Sequence, residues 1–210
     1  MATFFTTDFE YATLAAWCSA TGWASAGTGI TIDGGQYHGG AKSLKIADTT
    51  GYNSYNVDNN YSKVEIYGGL WLYISAAPSA GFQEVVEIYS VQGQDFIIGI
   101  NPTLHLVLYT ADTLRKTTTA VVALNTWTYV SFHIKFAAAS SVAEIKVSGE
   151  TQTDTTSLTS SNTNSVALGT EGNGGTGTFY IDDFIMDDAA YPSTGTKPTG
   201  PFPTFRPDLA

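Results

Sequence analysis

Apolar and polar residues alternate along nearly the whole chain. The alternating runs are Thr3–Phe9, Ser43–Ala47, Lys63–Tyr67, Gly69–Ser75, Val85–Val91, Asp95–Ile100, Leu104–Thr110, Thr119–Leu124, Thr126–Phe136, Val142–Ser148, Val166–Gly169 and Thr178–Met186. Each is rich in β-branched and aromatic residues and is bounded by Gly, Asn, Asp, Ser or Pro, the mark of a strand with one buried face. About twelve to fourteen strands in one chain require two packed sheets or a closed barrel. The pattern predicts an antiparallel sandwich in which the first run and the last are neighbours. Helical spacing is nearly absent. The one Ala-rich stretch, Glu10–Trp17, is short and reads as a turn or loop. Asp48–Asn60, dense in Asn, Tyr, Gly and Asp, and Thr151–Ser165, a Thr/Ser/Asn run, read as loops. No internal repeat is present.

The end of the chain breaks the pattern. Pro192, Pro198, Pro201, Pro203 and Pro207 crowd its last residues. Proline cannot join a sheet interior, so this stretch is expected to be an extended arm. The division is therefore a β-sandwich over residues 1–190 and a Pro-rich arm over 191–210. Little in the arm can bury itself. Phe202 and Phe205 are its expected anchors on another copy of the chain or on a scaffold protein.

Composition narrows the picture. Hydrophobic residues make up 43% and charged ones 13%, too apolar and too lightly charged for a disordered chain. The 210 residues can bury a core without disulfide or metal. Net charge is −10, and Arg115 and Arg206 are the only arginines, which excludes a basic nucleic-acid surface. Cys18 is the single cysteine, so no internal disulfide forms. His38, His105 and His133 lack zinc-ligand spacing. No stretch approaches the about 18 consecutive apolar residues of a membrane span. The sequence Met-Ala-Thr-Phe-Phe-Thr-Thr-Asp has neither a basic segment nor an apolar run, so no signal peptide is expected and the chain is expected to be made in a cytoplasm.

Three stretches in order carry a resemblance: Asp8-Phe9-Glu10 followed by Trp23; His38-Gly39-Gly40-Ala41-Lys42-Ser43-Leu44-Lys45-Ile46; and Phe179-Tyr180-Ile181-Asp182-Asp183-Phe184-Ile185-Met186-Asp187. Between them lie Leu124–Val130, with an Asn-Thr-Trp turn, and Ile145–Glu150, where Gly149 supplies the positive φ of a hairpin. This order resembles the concanavalin A-like lectin/glucanase superfamily, including laminin G-like jelly rolls and carbohydrate-binding modules, and covers Thr3–Met186. The resemblance implies an all-β jelly roll of two antiparallel sheets, one concave and one convex. It also implies a structural calcium held by Asp8 or Glu10, the Gly40 carbonyl and Asp182. Hard oxygen ligands at sheet ends suit that ion. On a regular strand Asp182 and Asp183 point to opposite faces; the alternative to calcium is that they accept backbone hydrogen bonds or cap a turn.

Glucanases of this superfamily carry carboxylates on one face of a strand. The nearest pair here, Glu84 and Glu87, is three residues apart, which on a regular strand puts the two on opposite faces. With no Gly-x-Ser-x-Gly elbow, phosphate loop or His-Glu-x-x-His helix either, no enzymatic activity is expected. Several strands oppose an aliphatic side to an aromatic or polar one. The second sides would share a concave face carrying Trp71, Tyr73, Glu87, Tyr89, His105, Tyr109, Trp127 and Tyr129. Aromatic rings with polar tips suit a sugar or a protein interface; cover by the protein's own loops is the third alternative. The expectation is a non-catalytic structural or adhesive protein of a phage virion, a capsid decoration or tail- or fibre-associated subunit, partnered by itself or other virion subunits. The alternative is a carbohydrate-binding module or lectin recognising a polysaccharide. A divergent glycan hydrolase is a distant third. Neither nucleic acid nor membrane is expected as a partner.

Overall fold

The computed structural model describes residues 3–25, 29–48, 55–57, 62–93, 95–137, 141–155, 162–169 and 176–192. The Pro-rich arm beyond Pro192, with Phe202 and Phe205, lies outside the described residues, as does most of Asp48–Asn60. The elements run β1 (Thr3–Thr7), α1 (Leu14–Thr21), β2 (Ala24–Ser25), β3 (Ile30–Asp33), β4 (Ser43–Asp48), β5 (Tyr55–Val57), β6 (Glu65–Ala76), β7 (Gln83–Ser90) and β8 (Phe96–Ile100). They continue as β9 (His105–Thr110), β10 (Thr113–Val121), β11 (Thr128–Lys135), β12 (Val142–Val147), β13 (Glu150–Asp154), β14 (Thr163–Leu168) and β15 (Gly177–Asp187).

Two antiparallel sheets result. The larger has the order β13-β12-β11-β6-β15-β4-β3, with β1 also pairing β15; the smaller is β10-β9-β8-β7-β14-β5-β2. The first and last strands are neighbours, with Thr7 opposite Phe184 and Thr6 opposite Ile185. The aliphatic sides of both sheets meet in one core, with Leu70, Leu72, Ile74, Val130, Phe132 and Phe179 from the larger sheet packed on Val86, Ile88, Ile98, Leu106, Leu108 and Val166 from the smaller. Among the described residues, no helix is long and apolar enough to cross a membrane.

The stretch expected to be a loop near the N-terminus is partly a helix, displaced four residues from Glu10–Trp17. Thr13 caps α1 by accepting from the Ala16 amide (3.2 Å), and Gly22 ends it at φ 76°, its amide donating to the Cys18 carbonyl. Eight residues are too few to hold a helix alone. Trp17 supplies the rest: fully buried, it packs on Phe9 and Trp23 and donates from Nε1 to Thr7 Oγ1 at 2.9 Å. The expected loop Thr151–Ser165 likewise carries strand at both ends, in β13 and β14. Ser148 and Gly149, both at positive φ, turn the chain between β12 and β13. From the first residue of β13, Glu150 crosses to the other sheet and accepts the amides of Thr119 (2.8 Å) and Ala120 on β10.

Candidate functional site

The outer face of the larger sheet is set by strict alternation on β6 and β11. Tyr129 lies opposite Trp71, Ser131 opposite Gly69, His133 opposite Tyr67 and Lys135 opposite Glu65. The two strands expected on either side of Gly68 are one continuous strand, because the glycine pair serves both faces. A side chain on Gly68 would collide with the Phe132 ring in the core, and one on Gly69 with the Tyr129 hydroxyl outside. Four of the expected ligand-face residues gather here, all half-buried. Trp71 and Tyr129 have ring centroids 5.4 Å apart, and Tyr73 lies 5.3 Å from Trp127. The His38 ring stacks on Trp71 at 3.7 Å, and Tyr180 meets Tyr73 edge-on.

Beside these rings is an open cleft of about 780 Å³, lined by Trp127, Tyr129, Ser131, Lys146, Tyr191 and Pro192 among others. Tyr191 and Pro192 reach it after β15 ends. The Lys146 ammonium sits 3.6 Å above the Tyr191 ring, the Tyr191 hydroxyl donates to Glu144, and the Tyr129 hydroxyl donates to the Pro192 carbonyl at 3.1 Å. Burial pushes the Tyr129 hydroxyl up to about 12, so it stays a proton donor at neutral pH. Next along the face, His133 stacks on Tyr67 at 4.2 Å and bonds Glu65 at 2.7 Å. Tyr67, Tyr180 and Tyr191 were absent from the sequence-derived set. Alternation on β6 and β15 could have found the first two; nothing local to Tyr191 marks it.

Asp182 and Asp183 do not point to opposite faces. A bulge in β15 sets two residues against one between Asp182 and Ile185, with Asp183 at φ 49°. Both carboxylates therefore meet the turn at His38. Asp182 Oδ2 accepts the amides of His38 and Gly39 (2.8 and 3.0 Å), and Asp183 Oδ2 bonds His38 Nδ1 at 3.0 Å. Burial, aided by the Asp183 charge, pushes the Asp182 carboxyl up to about 7. Glu10 Oε1 accepts the amides of Ala41 and Lys42 at 2.7 and 2.9 Å, and lies where a side chain on Gly40 would go. Asp8 accepts from the Glu10 amide. Of the four residues named for calcium, Glu10, Gly40 and Asp182 meet at this turn, where the two carboxylates accept backbone amides. Among the described residues no three His, Cys, Asp or Glu side chains converge on one point, so backbone carbonyls such as that of Gly40 would have to complete the set.

The other four expected ligand-face residues lie on the opposite side of the molecule. Glu87 and Tyr89 stand on β7, His105 and Tyr109 on β9, all in the smaller sheet. The eight cannot form one face, since the sandwich core separates them. Here the structure also overturns the geometry expected of Glu84 and Glu87. Glu84 pairs with Gly99 but Val86 with Ile98, a bulge that turns Val85 and Val86 together into the core. Glu84 and Glu87 consequently share the outer face, at 4% and 8% exposure, beside Tyr89, whose hydroxyl bonds Glu87. Burial and both carboxylates raise the Tyr89 hydroxyl far above its usual range. Phe82, Ile97, Val107 and Tyr109 form a small apolar cluster on the same side.

No protein-family model and no curated protein matches the chain. Solved structures do. The Crh5 transglycosylase in complex with NAG matches at a TM-score of 0.57 and 14% identity, over 90% of this chain and 85% of that one. The catalytic domain of a glycoside hydrolase family 131 protein from Coprinopsis cinerea matches at 0.53 and 13%, over 95% and 98%. Bacteroides ovatus Xyloglucan PUL GH43B matches at 0.54 and 14%, over 90% of this chain but 40% of that one. The chain spans 30% of a Trypanosoma rangeli sialidase that it also matches. The expectation of a non-enzyme does not stand. Most of these matches are glycosidases, transglycosylases or lyases, so the fold gives no ground for excluding catalysis, and the strand geometry invoked against Glu84 and Glu87 is not the observed one. Two antiparallel sheets, together with likeness to those solved chains over 90% of this chain or more, give this protein the fold of a jelly-roll sandwich.

Proposed function

We propose that this protein binds a neutral polysaccharide on the outer face of the larger sheet. The observation that carries the reading is the gathering of Trp71, Tyr73, Trp127 and Tyr129 as half-buried rings beside an open cleft. Sugar rings offer C–H faces that pack on aromatic rings, and the hydroxyls around them need donors and acceptors. Ser131, Lys146 and Tyr191 supply these along the cleft. A net charge of −10 disfavours an acidic glycan. The fold is one found in carbohydrate-active proteins, including a transglycosylase solved with NAG. The comparisons offer no support for the virion reading. Affinity electrophoresis in gels containing neutral polysaccharides tests the proposal. Retardation is expected, and Trp71→Ala and Trp127→Ala should each weaken it about tenfold or more. A chain retarded by none of a broad panel overturns it.

The bulge in β7 favours a second reading, cleavage or transfer of a glycosidic bond at Glu84 and Glu87. Such chemistry needs two carboxyl groups facing one bond, one as acid and one as base or nucleophile. If this holds, release of reducing ends is abolished by Glu84→Gln and by Glu87→Gln alike. A wild-type chain that releases none leaves binding alone. Calcium at the turn of residues 38–42 accompanies either reading; what supports it is the approach of the Glu10 and Asp182 carboxylates to that turn.

A further inference from the structure

His38 is held from three sides at the rim of the aromatic face. Its amide donates to Asp182 Oδ2 at 2.8 Å, its Nδ1 bonds Asp183 Oδ2 at 3.0 Å, and its ring lies 3.7 Å from that of Trp71 at an angle of 14°. The first two holds exist because the bulge in β15 brings both carboxylates to this turn. The Asp183 side chain is 6% exposed, whereas that of His38 is 28% exposed. Nε2 of His38 makes no hydrogen bond among the described residues, and it is not one of their buried unpaired atoms. One ring nitrogen is thus engaged and the other left open, with the Trp127 ring 6.0 Å away.

We propose that His38 is the residue that orients the glycan on these rings, its Nε2 accepting a proton from a sugar hydroxyl. The proposal rests on the sugar-binding reading. A carboxylate only accepts hydrogen bonds, so Asp183 holds the ring proton on Nδ1 and leaves the Nε2 lone pair outward in the neutral ring. Stacking alone discriminates little, since most sugars offer an apolar face to an aromatic ring. A fixed acceptor beside the rings supplies discrimination, because a hydroxyl in the wrong configuration leaves it unpaired. Asp183 and Trp71 fix the His38 ring in the free protein, so little freedom is lost on binding. Asp183 is thereby a positioning residue. His133 gives the contrast: it bonds Glu65 through Nε2, so one molecule holds two histidines in opposite tautomers.

Long-range proton–nitrogen NMR of the imidazole rings tests the tautomer in the free chain, at about pH 8.5, where an ordinary histidine is neutral. An unconstrained imidazole favours the proton on Nε2. His38 is expected to carry it on Nδ1 and His133 on Nε2, the chain's three histidines being told apart by single replacements. Asp183→Asn, which suits the left-handed backbone there, should move His38 toward the Nε2–H form. Affinity electrophoresis in a panel of neutral polysaccharides, xyloglucan, glucomannan and hydroxyethyl cellulose among them, tests the contact. His38→Asn keeps a donor for Asp183 but loses Nε2; His38→Phe keeps a ring on Trp71 but loses both nitrogens. Each of these, and Asp183→Asn, should weaken retardation about tenfold. A wild-type His38 with its proton on Nε2 overturns the proposal and leaves the sugar reading standing. So does retardation of either His38 variant as strong as that of the wild type. A tautomer unchanged in Asp183→Asn overturns the role given to Asp183. A wild type retarded by none of the panel removes the sugar reading, and this contact with it, whatever the tautomer.

Discussion

The Tyr129 hydroxyl occupies the space in which a side chain on Gly69 would begin. The neighbouring glycine has the same relation to Phe132 on the other side of the sheet. One strand thus yields its own side chains at two successive positions so that rings from β11 can lie across it, one in the core and one at the cleft.

Gly69→Ala is therefore expected to push Tyr129 off the face and weaken glycan retardation, with a stability loss toward the low end of the about 1–3 kcal/mol typical of overpacking. Gly68→Ala, acting on a ring buried in the core, should cost more stability. Urea titrations of the two variants, set beside affinity electrophoresis, check both orders.

Calcium at the His38–Lys42 turn would bind the native state only. At a hundredfold excess over Kd it would add about 2.7 kcal/mol, or roughly 5–10 °C in a domain of this size. EDTA should lower the melting temperature by that order, and Asp182→Ala should be insensitive to EDTA. A melting curve unchanged by EDTA removes calcium from the site.

Acid should loosen the edge on which Tyr191 rests. Burial alone would raise the Glu144 carboxyl, but hydrogen bonds from Tyr191, Lys146 and Thr153 hold it below the usual value of 4.5. A carboxyl with a depressed native pKa stabilises above its unfolded pKa and loses that contribution as the pH falls through the native one. Glu144→Gln should thus cost about 0.5–1 kcal/mol near neutrality, discounted for solvent screening, and almost nothing near pH 3. Equal costs at both pH values would contradict the assignment.

The helix α1 depends on a few residues. Gly22→Ala should cost about 1 kcal/mol for its left-handed backbone, and Thr13→Ala about as much for the lost cap. Trp17→Phe removes the bond to Thr7 and leaves a void, for about 1–3 kcal/mol. Chemical denaturation with an unchanged m-value checks all three.

The sandwich was legible in the sequence because alternation is a property of single strands. The faces were less so. A one-residue bulge inverts everything beyond it, and the bulges at Val85–Val86 and Asp182–Asp183 leave no mark in composition. They are why Glu84 and Glu87 were assigned opposite faces, and the two aspartates likewise. Nor does alternation say which sheet a strand joins, so Trp71 and Tyr89 could be read onto one surface although the core lies between them. The helix escaped because its caps, Thr13 and Gly22, bracket a window shifted from the Ala-rich stretch.

The reach of Glu150 from β13 to β10 bears on how the molecule meets copies of itself. Both are edge strands, and an edge ordinarily offers unused amides and carbonyls to any extended chain. Here two amides of β10 already hold a carboxylate from the opposite sheet. An incoming strand would have to evict a charged group from its own hydrogen bonds before adding to that flank. Fibre-like growth by strand addition is thus opposed on this side, leaving the far edge, where β3 and β2 end the two sheets, as the flank without that latch.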